Sequence, residues 1–215
     1  LTGYLDCPLR FYFSYVMRIR EEDEVKEDLD AAGFGSLLHK VMEKIYEAAG
    51  NKMVSEEDLK IMAGKEVTEQ CINEAFLEEY QINNMAPDEF RPQGRNIIVY
   101  EIIRKMVLHI LALDAQFTPF RVRELEKDIT FIYSHPEVKE GIRLGGIIAR
   151  LDESNGSMRM IDYKTGKADR DMHSLEQLFD WDKWGSNKTL KGAFQTLLYS
   201  WFYQQTETSG MALTP

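Results

Sequence analysis

The sequence predicts one α/β domain, a sheet built around a single tight hairpin and flanked by helices. Three observations carry this. Residues 145–166, GGIIARLDESNGSMRMIDYKTG, hold two apolar-rich stretches joined by Ser-Asn-Gly-Ser, and Asn-Gly readily supplies the two positive φ angles of a type I′ turn. Residues 120–133 are rich in β-branched and aromatic side chains and end before Pro136. Apolar side chains recur at helical spacing over residues 34–45, from about Arg95 to Gln116 and from about Leu190 to Gln205.

In chain order, residues 3–19 contain Tyr4, Leu5, Leu9, Phe11, Tyr12, Tyr15, Val16 and Ile19, which read as a helix packed on more than one side, with Pro8 tolerated near its start. Cys7 reads there as a small buried hydrophobe, because free cysteine buries readily. Glu21 to Asp30, EEDEVKEDLD, is a solvated acidic loop. Phe34, Leu37, Leu38, Val41, Met42 and Ile45 make the stripe of the next helix. His39 lies beside that stripe, one turn before Glu43, its natural partner by spacing. Ser55 opens a further helix through a capping-box variant with Asp58 and carries it to about Tyr80. Pro92 precedes the helix at Arg95, and the methionines and aromatics of both read as core. In the strand that follows, Glu124 and Glu126 alternate with Arg123 and Leu125, and a carboxylate on a strand face is ordinarily an ion-pair partner.

The Asn155-Gly156 turn sets the register of the hairpin. Ser154 pairs with Ser157, so stepping outward brings Ala149 opposite Asp162, with Lys164 on the same face. Asp152 falls on the other face, across from Arg159, where an ion pair is its expected role. Glu153 shares the face of Ala149 but lies too near the turn to replace it. Opposed residues have Cβ atoms about 5 Å apart. Two carboxylates at that spacing would hold a divalent cation, and a lysine beside them would steady a phosphoryl group or a nucleophilic water. At position 149 that partner is absent.

Further on, Leu178 to Lys188, LFDWDKWGSNK, mixes Trp181 and Trp184 with Lys183 and Lys188. Two readings stay open: a stacking-plus-phosphate surface for single strands, or a loop pinned by aromatics with solvated lysines. The last helix sets Gln195 and Tyr199 one turn apart beside Leu198, Trp201 and Phe202. They either satisfy one another in the core or line a site.

Asp162-Tyr163-Lys164-Thr165-Gly166, preceded by GxxxRxD from Gly146 to Asp152, resembles the core of the PD-(D/E)XK nuclease superfamily in its RecB-like branch, as in bacterial helicase-nucleases and CRISPR-associated exonucleases. Cys7-Pro8 with Phe11 is similar to that branch's CPxxF helix, Gly35 to His39 to its GxxxH, Glu126 to its strand glutamate and Gln195 to Tyr199 to its QxxxY, all in the family's order. The resemblance spans nearly the whole chain. It implies a restriction-endonuclease-like mixed central sheet flanked by helices, and metal-dependent DNA hydrolysis, as an exonuclease in repair or recombination. It further implies His39, Asp162 and Glu126 as metal ligands, with Ala149 at a vacated ligand position, and Lys164, Asp162, Gln195 and Tyr199 as catalytic residues. Gly35, lacking a side chain, would let His39 come close to the metal. Lys167, Trp181, Lys183, Trp184, Lys188 and Lys191 would follow the nucleic acid. Oxygen ligands suit Mg2+ or Mn2+, held weakly once a carboxylate is gone. Single-stranded DNA and a helicase domain or subunit are the implied partners. Some members carry an iron-sulfur cluster ligated after QxxxY; this chain has no cysteine beyond Cys71, so ligand count excludes a cluster within it.

The formal charge of −10 has the wrong sign for holding phosphates, so charge must be segregated, with acid in residues 21–30 and cations from Lys164 to Lys191. Two cysteines make no disulfide framework, and no signal peptide or membrane-spanning run is present, which points to a reducing, cytoplasmic setting. The absence of an initial Met beside a motif points to a piece of a longer protein. Two explanations of Ala149 stay open. Either the domain is an inactive nucleic-acid-binding or structural module, or the alanine was introduced to disarm a nuclease. Retention of His39, Asp162, Lys164, Gln195 and Tyr199 favours the second, and the gene's own codon would decide.

Overall fold

The computed structural model describes residues 3–4, 7–19, 31–166, 174–179, 188–206 and 212–214. A short helix α1 (Pro8–Phe11) runs into a π-helical turn (Tyr12–Val16). Helix α2 (Ala31–Glu47), strand β1 (Met53–Val54) and helices α3 (Glu56–Met62), α4 (Lys65–Glu79) and α5 (Asn96–Asp114) follow. Then come the long strands β2 (Phe120–His135) and β3 (Val138–Ser154), the shorter β4 (Ser157–Ile161), a 3-10 turn (Leu175–Phe179), helix α6 (Lys188–Thr206) and β5 (Ala212–Thr214). The predicted Lys167, Arg170, Trp181, Lys183 and Trp184, and the acidic residues 21–30, lie outside the described residues, as do the side chains of Lys188 and Lys191.

The sheet is mixed, in the order β1-β2-β3-β4-β5, antiparallel except where β5 runs parallel to β4. Its register is the one the turn predicts. Asn155 and Gly156 have φ of 51° and 75°, and Ser154 pairs with Ser157, Asp152 with Arg159 and Arg150 with Ile161. Beyond Ile161 the strands part. β3 continues along β2 as far as Val138, paired with His135, while the chain after β4 turns away and leaves a fork.

Two cores sandwich this sheet. On one side α2 buries Leu37, Leu38, Val41, Met42, Ile45 and Tyr46, packed with α4, α5 and β2, and Phe120, Val122, Ala149 and Tyr163 complete the cluster. On the other, Phe202 of α6 meets Ile129, Ile148, Leu151, Met158 and Met160. Ile148 and Leu151 are three residues apart yet share a core, so the two-residue alternation of β3 fails across Ala149 and Arg150. β2 is irregular opposite the same stretch. It carries a one-residue bulge between Val122 and Glu124, and Glu126 takes a left-handed φ of 43°.

Four expectations require correction. Asp152, expected on the face opposite Ala149, lies with it on the α2 side, bonded to Arg150 over the Tyr46 ring, because the alternation fails between the two positions. The helix predicted from Ser55 to Tyr80 begins as expected, with reciprocal bonds between Ser55 and Asp58, but it is two helices. Gly64 breaks it with an extended ψ of 143°, and a Cβ there would lie 2.9 Å from the carbonyl oxygen of Ile61. The segment 3–19 is not packed on several sides: Leu9, Tyr12, Phe13, Tyr15, Val16 and Ile19 are exposed. Its helical pieces are too short to lay a continuous stripe on the core, and its rings pack on one another. Cys7 is half-buried and caps α1 by accepting from the Arg10 amide at 3.5 Å, rather than filling a core. No helix among the described residues is long and apolar enough to cross a membrane.

Candidate active site

The fork between β3 and β4 opens into a cavity of about 740 Å³. His39 from α2, Glu126 from β2, Asp162 and Lys164 from the segment after β4, and Gln195 and Tyr199 from α6 all line it.

His39 is held from both sides. Its Nδ1 lies 3.0 Å from Glu126 Oε1, and its Nε2 lies 3.0 Å from the carbonyl oxygen of Tyr163 and 3.9 Å from Asp162 Oδ1. A neutral imidazole donates to only one of these close acceptors, whereas the imidazolium donates to both. The partner expected from helical spacing, Glu43, is therefore replaced by Glu126, which the left-handed backbone at that residue helps to present. The Glu43 carboxyl is pushed above its ordinary range by burial and then by the charge of Glu126. Gly35 lies beside Thr165. A Cβ there would meet Thr165 Oγ1 at 3.6 Å, an ordinary contact.

Asp162 and Lys164 form an ion pair, Nζ to Oδ2 at 2.6 Å, although Oδ2 is buried and the approach lacks hydrogen-bond geometry. We read the contact as charge pairing, because at this separation the Coulomb term does not need a directed proton. Lys164 Nζ also donates to Gln195 Oε1 at 3.1 Å, and Gln195 Nε2 donates to Tyr199 Oη at 3.2 Å. Gln195 and Tyr199 thus satisfy each other and line the cavity at the same time. Tyr199 needs Gly146 beneath it, because a Cβ on that glycine would overlap the phenol.

Position 149 is not among the residues that line the cavity: Ala149 packs in the core on the α2 side. By count along β2, Glu126 falls opposite Ala149, since Leu125 pairs with Arg150 and Lys127 with Ile148; Asp162 follows Ile161, the last residue of β4 paired with β3. Ala149 is buried, 3% exposed. Among the described residues, no three His, Cys, Asp or Glu side chains are grouped to hold a metal ion. The described donors therefore do not make a complete divalent site, and both nitrogens of His39 face oxygens of Glu126 and Tyr163.

Below the site lies a buried ionic cluster that the sequence reading missed. Arg150, fully buried, donates to Asp114 Oδ1 at 2.8 Å, Asp152 Oδ2 at 3.1 Å and Tyr163 Oη at 3.0 Å, and its guanidinium lies 4.1 Å from the centre of the Tyr46 ring. Arg159 donates to Asp152 at 2.6 Å and Asp114 at 3.1 Å, which realises the predicted Asp152–Arg159 pair and extends it. Tyr46 Oη closes the cluster on Asp114 at 2.6 Å. Two guanidinium groups balance two carboxylates, the condition under which buried charge is tolerated. Burial pushes the Tyr46 and Tyr163 phenols well up, so both stay protonated, Tyr46 donating to Asp114 and Tyr163 accepting from Arg150. The cluster anchors Tyr163, whose carbonyl receives His39. The available signal was an arginine in mid-strand between Ile148 and Leu151.

A family model of the PD-(D/E)XK nuclease superfamily matches residues 1–214. No curated protein matches the chain.

Proposed function

The chain belongs to the PD-(D/E)XK nuclease superfamily, whose members generally use divalent metals, and from that premise we propose that it is a RecB-like DNA exonuclease domain of repair or recombination, impaired in cleavage by alanine at position 149. The observation that supports this reading is the run of contacts Asp162–Lys164–Gln195–Tyr199 along a cavity whose second acid, Glu126, is held by His39. Lys164 supplies the positive charge that meets a phosphate as its negative charge develops. Gln195 and Tyr199 hold that ammonium in place, and His39 fixes the carboxylate of Glu126. Oxygen donors at Glu126 and Asp162 suit Mg2+ or Mn2+, and an aspartate at 149 would supply the third. We assign single-stranded DNA as substrate, delivered by a helicase domain or subunit along Lys167, Trp181, Lys183, Trp184, Lys188 and Lys191.

The test is to restore the carboxylate. Ala149→Asp should bring Mg2+-dependent cleavage of single-stranded DNA, and Lys164→Ala added to it should remove that activity. A parent chain that cuts as fast as the restored one would show that position 149 is wrongly assigned. A second reading, an inactive nucleic-acid-binding module with the nuclease fold, is favoured by the incomplete donor set. Salt-dependent DNA binding with no cleavage by Ala149→Asp would select it.

A further inference from the structure

Phe11 and Tyr15 line the same cavity as His39, Asp162 and Lys164. Their rings stack, 4.9 Å between centroids and 24° from parallel, and Tyr4 meets the edge of Phe11 at 5.6 Å. The π-helical turn sets this geometry by placing a wider turn between them, with Met17 N bonded to Tyr12 O. Yet Tyr15 is 69% exposed, so this stack opens onto solvent inside a polar cavity. Arg143 stands in the same cavity, and its side chain makes no ion pair or hydrogen bond to another described residue. Aromatic faces and an uncommitted cation beside a lysine suit a ligand that carries both flat rings and phosphates.

We propose that Phe11 and Tyr15 are a stacking platform for an unpaired nucleobase, with Arg143 taking an adjoining phosphate, so that the cavity grips single-stranded nucleic acid by base as well as backbone. This rests on the nuclease reading of the cavity. In a duplex the faces of the bases are occupied by their neighbours, so such a platform serves a single strand. The contact is indifferent to sequence, because every base has a π-face. A docked apolar protein segment would use the exposed rings but would leave Arg143 without a group of opposite charge.

The experiment compares a fluorescent oligothymidylate with an abasic strand of the same length, by anisotropy, in chelator so that no cleavage intervenes. The unaltered chain should prefer the strand with bases. Tyr15→Leu should weaken oligothymidylate binding on the order of tenfold and erase the preference, and Tyr15→Phe should keep both. Arg143→Gln should weaken both strands alike and flatten the salt dependence by about one counterion. Because Tyr15 is exposed, these substitutions leave folding intact, which circular dichroism checks. Equal binding of the two strands by the unaltered chain overturns the platform without needing any variant. If binding stays salt-dependent and falls with Lys164→Ala while Tyr15→Leu changes nothing, the platform fails and the nuclease reading stands. No binding of either strand overturns both.

Discussion

Gly146 of β3 and Tyr199 of α6 share one space: the phenol stands where the glycine's side chain would be. Gly146→Ala should therefore displace Tyr199 from Gln195 and cost about 1–3 kcal/mol, the range for forcing a methyl group into a filled site. Tyr199→Ala in the same chain should recover part of that loss. Urea unfolding of the two single variants and the double variant measures the coupling, and simple additivity would show that the two positions do not meet.

Restoring the carboxylate should be felt in stability before it is felt in catalysis. Ala149→Asp puts a carboxylate at a position that is 3% exposed, and on the proposed reading it joins Glu126 and Asp162. In chelator the variant should melt below the parent, because a buried carboxylate beside like charges is unfavourable. Added Mn2+ should raise its melting temperature far more than the parent's, since a ligand bound only by the native state stabilises that state. Equal shifts in parent and variant would refute the placement.

Arg150→Met should be among the most damaging single changes outside the cavity. It strands Asp114 and Asp152 in the interior with Arg159 alone to balance them. The expected loss is about 3–5 kcal/mol, as for breaking a buried ion pair from one side. Chemical denaturation reads it, and a loss below about 1 kcal/mol would mean that the cluster is hydrated in solution.

Glu43 provides a pH dependence with a definite sign. Its carboxyl is raised above the ordinary 4.5, first by burial and then by Glu126, so the folded chain binds this proton more tightly than the unfolded chain. The group's contribution is fully favourable below pH 4.5 and is lost as pH rises through the folded pKa. At pH 7 Glu43→Gln should stabilise the protein, by less than about 1 kcal/mol given the residue's exposure to screening. Unfolding midpoints of the two proteins should converge below pH 4.5. A gain that persists in acid would point to a different cause.

Local chemistry made the hairpin legible. Asn-Gly specifies two left-handed residues, and these set the register that pairs Asp152 with Arg159 and Arg150 with Ile161. The helical stripe from Leu37 to Ile45 was equally plain, because its period faces one core. What stayed hidden depends on contacts between distant segments. Helical spacing offers His39 the nearby Glu43, whereas the fold brings Glu126, 87 residues away, to its ring. Asp114, a helix-end acid with no local sign of burial, becomes a buried acceptor only when Arg150 and Arg159 arrive across the sheet. The break at Gly64 was visible as a glycine, but periodicity on both sides argued for continuity.

The parting of β3 and β4 after Ile161 has a consequence for hydrogen exchange. From Arg150 to Glu153, β3 is paired on both edges; from Val138 to Ile148 its described partner is β2 alone. Peptide amides near the turn should exchange slowly in deuterated solvent, while in the far half those facing away from β2 should exchange within much shorter times, an alternation of slow and fast along one strand. Over Gly145 to Ile148, where the cavity opens, an internal strand thus behaves as an edge.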